Sequence, residues 1–249
     1  MLRPDRLSSL ISHFEVTATH EPEVERCNLF ILEEEGVLST LVLYLRPHGM
    51  EAFPSQCAAA ITLDVGGDEN PLFYALPDQL DVDLSEGSEL SDIAGIIVRE
   101  IQNHRCGGQF ALSRLSELLV LSLLRFRIEN NQAQTGLFAG LAHPKLSAVM
   151  VAIHDEPGRD WKIDDFLDLA GMSRSQFMAE FQTVVGKTPI AYLKQWRMVL
   201  ARIALVKGDR VKEVARKFGY SSGDAFCRAF VGAYGIAPTK LVYDHHQSA

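Results

Sequence analysis

Cysteine is scarce in this 249-residue chain: Cys27, Cys57, Cys106 and Cys227 are the four, and no two are spaced C-x-x-C. That excludes a zinc site built from paired cysteines and a disulfide scaffold, and it fits a reducing compartment, the cytoplasm. No run of apolar residues approaches the length of a membrane span, so no membrane contact is expected. The first residues, MLRPDRLSSLISHFE, meet acids too early for a secretory signal peptide. Histidines at metal-binding spacing are missing too. His13, His20 and His48 form no H-x-H, His245 and His246 fall in a polar tail, and no cofactor is expected. A G-x-S-x-G elbow is also absent. Together these absences leave little for an enzyme, and binding is the expected mode of action.

What is present is globular composition, with 47% hydrophobic and 22% charged residues and enough length for one large domain or two small ones. The formal charge of -8 is unevenly distributed. Residues 1–140 hold 9 Lys and Arg against 21 Asp and Glu, whereas residues 141–249 hold 15 against 11. An acidic part joined to a mildly basic part permits nucleic-acid binding by the latter, or reflects two ordinary solvated surfaces.

The texture of the chain changes along its length. Leu7, Leu10, Ile11 and Phe14 fall at helical intervals. CNLFILE, GVLSTLVLYL and AAAITLDV are short, rich in Val, Ile, Leu and Thr, and set between turn-forming EEEG, RPHG and VGGDENP, which predicts strands. Two helices are predicted at about 88–104 and 110–129, the second carrying a stripe of Leu112, Leu115, Leu119 and Leu123. That stripe serves either as a dimer seam or as packing against the domain's own sheet. The acidic stretch 78–92 reads as a solvated loop, and the polar ENNQAQTG as a linker. Everything beyond reads as helix.

The strongest signal is an internal repeat. Residues 163–193 align with 211–242: Gly171 with Gly219, Ser173 with Ser221, Phe177 with Phe226, Phe181 with Phe230, Gly186 with Gly235 and Pro189 with Pro238. Each copy reads as helix, tight turn, helix. The glycines end the first helix. Ser173 caps the second helix of one copy, and Ser221 or Ser222 that of the other. Two phenylalanines four residues apart turn one face inward. This is helix-turn-helix grammar, in which the second helix offers its N-terminal residues to a major groove. Residues 189–209 form one helix between the copies, with an apolar stripe of Ile190, Leu193, Trp196 or Arg197, Leu200 and Ile203.

The motifs GMSRSQFMAEF…VGKTPIAYLKQWRMVLARIAL and VARKFGYSSGDAFCRAF…YGIAPTKL resemble the DNA-binding domain of AraC/XylS-type transcription regulators over about residues 144–243. The first half, with LFYALPDQL at 72–80, resembles the subgroup that carries a cupin-like sensor domain.

The resemblance implies an α+β chain. Residues 1–130 would form a small strand-rich, cupin-like domain with helices, its sheet either closed or truncated. A linker would follow at 131–140, and then an all-α domain at 141–249 with helix-turn-helix motifs at 163–185 and 211–234. The resemblance also implies a sequence-specific regulator of promoter DNA, usually an activator, often dimeric and often effector-responsive; the acidic stretch 78–92 offers an alternative role in contact with RNA polymerase. Carried over by position, Arg174, Ser175, Met178 and Ala179 would read the first groove, and Gly223, Asp224, Cys227 and Arg228 the second. Lys187, Lys194 and Arg197, with Arg174, Lys207 and Lys212, would meet phosphates or else lie on solvated helix surface, Arg197 having a buried intramolecular ion pair as its alternative.

Three departures from the family pattern stand out: Leu167 where a small residue is usual, Val242 in place of an arginine, and reading positions poor in long donors. A protein-binding adaptor on the same fold, with weakened DNA readout, is the alternative. Two thiol switches also come into view: Cys27 with Cys57, either a redox pair or two buried apolar residues, and Cys227 beside Arg228.

Overall fold

The computed structural model describes residues 5, 7–11, 16–20, 26–45, 56–64, 76–84, 88–103, 105–130 and 135–242. They divide into two compact units: residues 14–130 form a sheet unit, and residues 131–249 together with the first 13 form a helical unit.

The sheet unit holds five antiparallel strands: β1 (Thr17–Thr19), β2 (Leu29–Glu34), β3 (Val37–Tyr44), β4 (Cys57–Asp64) and β5 (Gln79–Asp83). Their order is β1-β4-β2-β3-β5, so β2 lies at the centre. Leu29 and Ile31 pair across to Leu43 and Leu41 on β3, while Phe30 faces Val42 on β3 and Ala60 on β4. Both faces of β2 are buried, which accounts for its continuous rather than alternating apolar run. The register shifts between Leu32 and Glu33 against β3 and between Ile31 and Leu32 against β4, and pairing continues beyond each shift.

The strand β5 lies within the acidic stretch that reads as a solvated loop. Its apolar residues alternate, with Leu80 and Val82 buried while Gln79, Asp81 and Asp83 face solvent. The acids that hide the strand in the sequence protect its exposed edge.

Two helices of this unit pack on the sheet and on each other, α2 (Glu89–Asn103) against β3 and β4 and α3 (Gly108–Glu129) against β1. Leu112, Leu119 and Leu123 are buried by that packing, so the leucine stripe belongs to the unit's own core. Gln109 donates from Nε2 to the Ala18 carbonyl at 2.6 Å, tying α3 to β1. Cys27, Phe30, Val42 and Ala60 form a separate apolar cluster edged by Leu32, Tyr44 and Cys57.

The helical unit contains α1 (Ser8–Ile11), α4 (Leu137–Ala142), α5 (Leu146–Asp155), α6 (Ile163–Ala170), α7 (Arg174–Val185), α8 (Pro189–Val206), α9 (Val211–Lys217) and α10 (Gly223–Tyr234). The expected domain limits shift in two places. First, α1 packs on α5 and so groups with the helical unit rather than with the sheet. Second, the expected linker 131–140 overlaps α4, whose Leu137, Phe138, Ala139, Gly140 and Leu141 are buried; residues 131–134 lie outside the described set. Gly140 lets α4 sit against Met150 and Val185, where an added Cβ would approach both to 3.1 Å. A polar run ahead of a six-residue helix carries no periodicity, which is why it reads as linker.

Candidate nucleic-acid interface

Each copy of the repeat folds as the glycines and phenylalanines dictate. Gly171 (φ 60°) and Gly219 (φ 76°) end the first helices in the left-handed conformation that β-carbon-bearing residues avoid. Phe177 and Phe181 on α7, and Phe226 and Phe230 on α10, are fully buried. In each pair the rings stand 5.6 Å apart, so the two copies share one internal geometry. Capping differs between them. The Ser222 hydroxyl accepts from the Ala225 N–H at 3.1 Å, whereas Ser173 makes no side-chain cap and Ser221 is not the capping residue of its copy.

Once the phenylalanines are buried, helical geometry settles what faces outward. On α7, Arg174, Ser175 and Ala179 are exposed and Met178 is half-buried. Gln176, Gln182 and Thr183 are exposed as well. The carried-over reading face does not include these three, although Gln182 falls seven residues after Ser175 and three after Ala179, on the same side of the helix. The outward side of α7 therefore carries amide donors, and the hydroxyl of Thr183 donates to the Ala179 carbonyl at 2.9 Å. On α10, Asp224 and Arg228 are exposed and Gly223 and Cys227 are half-buried. Val231, 43% exposed, extends that face one turn further. Asp224 lies in the first turn, where a carboxylate is favoured by the helix dipole.

The basic residues separate into two groups. Lys187 and Lys194 are exposed, and Lys187 donates from Nζ to Gln195 Oε1 at 2.5 Å. Arg174 is exposed, 3.9 Å from Asp164. Lys207 and Lys212 are also exposed.

Arg197 is different. Its Nε donates to the Pro157 carbonyl at 2.6 Å and its Nη2 to the Arg159 carbonyl at 2.7 Å. Burial pushes its pKa down, against the opposing effects of Tyr220 and Asp160. The half-buried guanidinium thus binds two backbone carbonyls of its own domain, an internal role like the alternative to a phosphate contact, with carbonyls in place of a carboxylate. Its long-range partners lie 38 and 40 residues back in the chain and leave no local signal.

The helix α8 carries both motifs. Tyr192 meets Phe181 of the first copy at 6.1 Å between ring centroids. Arg202, further along, lies over the Tyr234 ring of the second copy at 4.9 Å. Its N-terminus is set by Thr188, whose hydroxyl accepts from the Ala191 N–H, and by Pro189 at the first helical position. The first reading helix is also braced from behind, because Gly136 donates its N–H to the Val184 carbonyl at 2.9 Å and His143 Nε2 lies 2.8 Å from Glu180 Oε1.

Elsewhere, His20 bonds through Nδ1 to the Ala60 carbonyl at 3.0 Å, and His13, His48, His245 and His246 lie outside the described residues. Among the described residues, no group of three or more His, Cys, Asp or Glu is placed to hold a metal ion. None of the described helices is long and apolar enough to cross a membrane. Burial pushes the Cys57 thiol up, and that thiol donates to the Ala59 carbonyl, so this cysteine is a poor thiolate.

Comparison with known proteins bears on the same two units. Residues 167–242 match the family model of a helix-turn-helix domain, and residues 33–129 that of a cupin. The transcriptional regulator AlkR of Acinetobacter baylyi is 33% identical over 175 residues, covering 68% of this chain and 57% of its own length. A putative AraC-like transcription regulator of Streptomyces lividans is 31% identical over 144 residues, covering 57% and 47%. The chain spans about half the length of the curated relatives it matches. A crystal structure of an AraC-type DNA-binding protein from Chromobacterium violaceum superposes with a TM-score of 0.39 at 23% identity, over 43% of this chain and 96% of that one. These relatives are named as transcription regulators, and the adaptor alternative is not favoured.

Proposed function

We propose, since this chain belongs to the AraC-type family of helix-turn-helix regulators, that it controls transcription by engaging promoter DNA with α7 and α10 together. The observation that carries this reading is the duplication: two motifs of matching geometry, joined by a single helix. The 18 residues of α8 span about 27 Å, comparable with the roughly 34 Å between successive major grooves on one face of DNA.

In this reading Ser175, Met178 and Ala179, joined by Gln182, meet base edges in one groove. Gly223, Asp224, Cys227 and Arg228 meet the next, with Arg228 bidentate on a guanine. Arg174, Lys187 and Lys194 grip phosphates and supply affinity without sequence information.

The sheet unit senses a small-molecule effector and pairs two copies of the chain. The match of residues 33–129 to the cupin family model supports the sensing role. An effector acts only to the extent that it binds one arrangement of the chain better than another. Contact with RNA polymerase then makes the protein an activator. Its work is binding, without a catalytic step, and its place is the cytoplasm.

The test is selection of fragmented source-genome DNA on purified protein at about 150 mM salt. Enrichment of a few upstream regions carrying two half-sites about one helical turn apart is the expected result. Uniform recovery of all fragments, with and without cell extract as an effector source, would defeat the reading.

A further inference from the structure

The turn of the second helix-turn-helix and the loop that precedes the first meet at a contact only glycine permits. A β-carbon on Gly158 would lie 2.2 Å from the Lys217 carbonyl oxygen, and one on Gly219 would lie 2.5 Å from the Gly158 oxygen. Arg197 of α8 closes this contact. Its two hydrogen bonds take the Pro157 and Arg159 carbonyls on either side of Gly158, and its Nη2 would stand 3.1 Å from a Gly219 β-carbon.

From this clasp, ring contacts run to both reading helices. On one side the Arg159 guanidinium lies over the Trp161 ring at 4.1 Å, Trp161 stacks on Phe166 at 5.3 Å, and Phe166 meets Phe177 of α7 at 6.3 Å. On the other side Tyr220, whose hydroxyl and the Arg197 guanidinium influence one another electrostatically, meets Phe226 of α10 edge-on at 5.4 Å. The contact is polar backbone held by a rigid two-pronged donor, a geometry a lysine cannot reproduce with its single ammonium.

We propose that Arg197, with Gly158 and Gly219, is a positioning residue that locks α7 and α10 at one mutual angle, and thereby sets the half-site spacing the protein accepts. The inference rests on the reading that both helices enter DNA, but the lock itself is a property of the free protein and is tested there.

Spin labels on unnatural ketone residues at Gln182 and Ala233, one on each reading helix, leave the four cysteines untouched in the full chain. The expected result is one narrow distance distribution in the parent, broadened or displaced by Arg197→Lys and by Gly219→Ala. An unchanged distribution in folded Arg197→Lys overturns the proposal. Gly219→Ala keeps the arginine and tests the same lock from the opposite side of the contact, where an unchanged distribution overturns it equally.

On the selected DNA, inserting one base pair between half-sites should weaken parental binding about tenfold and Arg197→Lys binding no more than about threefold. The salt slope should be the same for both. Intact spacing discrimination together with a slope reduced by about one unit would instead make Arg197 a phosphate contact and overturn the lock. Because the distance measurement uses no DNA, its failure is distinct from failure of the DNA-binding reading.

Discussion

Arg228 is a long donor on the outward face of α10's first turns, with the aspartate at 224 one helical turn before it. Its replacement by alanine is expected to cost about 1–3 kcal/mol against the preferred site and to relax preference at a single base pair. Fluorescence anisotropy against singly substituted sites measures both effects. Tyr192 gives a test within the core. It is buried, its hydroxyl is 2.7 Å from His154 Nε2, and burial raises its pKa far above the ordinary value of 10.0. A raised tyrosine pKa leaves stability intact below pH 10 and removes it as pH climbs toward the folded-state value. The slope is up to about 1.4 kcal/mol per pH unit. Urea midpoints measured from about pH 9 to 11 should therefore fall steeply for the parent, and less steeply for Tyr192→Phe.

Among the elements, the two copies of the repeat differ where their sequences look alike. The hydroxyl of Ser222 caps α10, while that of Ser173 makes no cap for α7. Ser222→Ala is expected to destabilise the domain by about 1 kcal/mol and Ser173→Ala by close to nothing, as read by urea denaturation. In its place α7 is held by α4 through the Gly136 N–H and by the His143–Glu180 contact. Both reading helices share the buried phenylalanine pair. Phe226→Ala leaves a cavity and should cost about 3–5 kcal/mol, abolishing DNA binding through loss of α10's seat rather than of any base contact.

For the whole molecule, affinity and specificity should separate. Lys187 and Lys194 are exposed, one in the turn after Gly186 and the other in the first turns of α8. Replacing either by alanine should weaken binding to all sequences alike and lower the log–log salt slope by about one unit each. Titrations from low to moderate salt on specific and random DNA check this, and a loss confined to the specific site would refute it. The uneven charge makes the same point. The excess of basic residues lies in 141–249, so the acidic total of -8 does not describe the part proposed to meet DNA.

Read by itself, the sequence determined whatever depends on near neighbours. Both helix-turn-helix motifs and the helix between them appear where glycines, prolines and paired phenylalanines place them, since these act within a turn or two of their own position. Strands β2, β3 and β4 were legible for the same reason, as short segments rich in Val, Ile, Leu and Thr between turn residues. The tertiary structure decided what distant partners impose. The acidic strand β5 is a strand because β3 supplies its hydrogen bonds, and α4 is a helix because Met150 and Val185 leave it a seat. The sequence leaves Arg197 open between a phosphate contact and an internal ion pair, and only the fold supplies its actual partners, the carbonyls of Pro157 and Arg159. A charged side chain's role is set by which polar groups the fold brings within about 3 Å, and that information is spread over the chain rather than held in any local pattern.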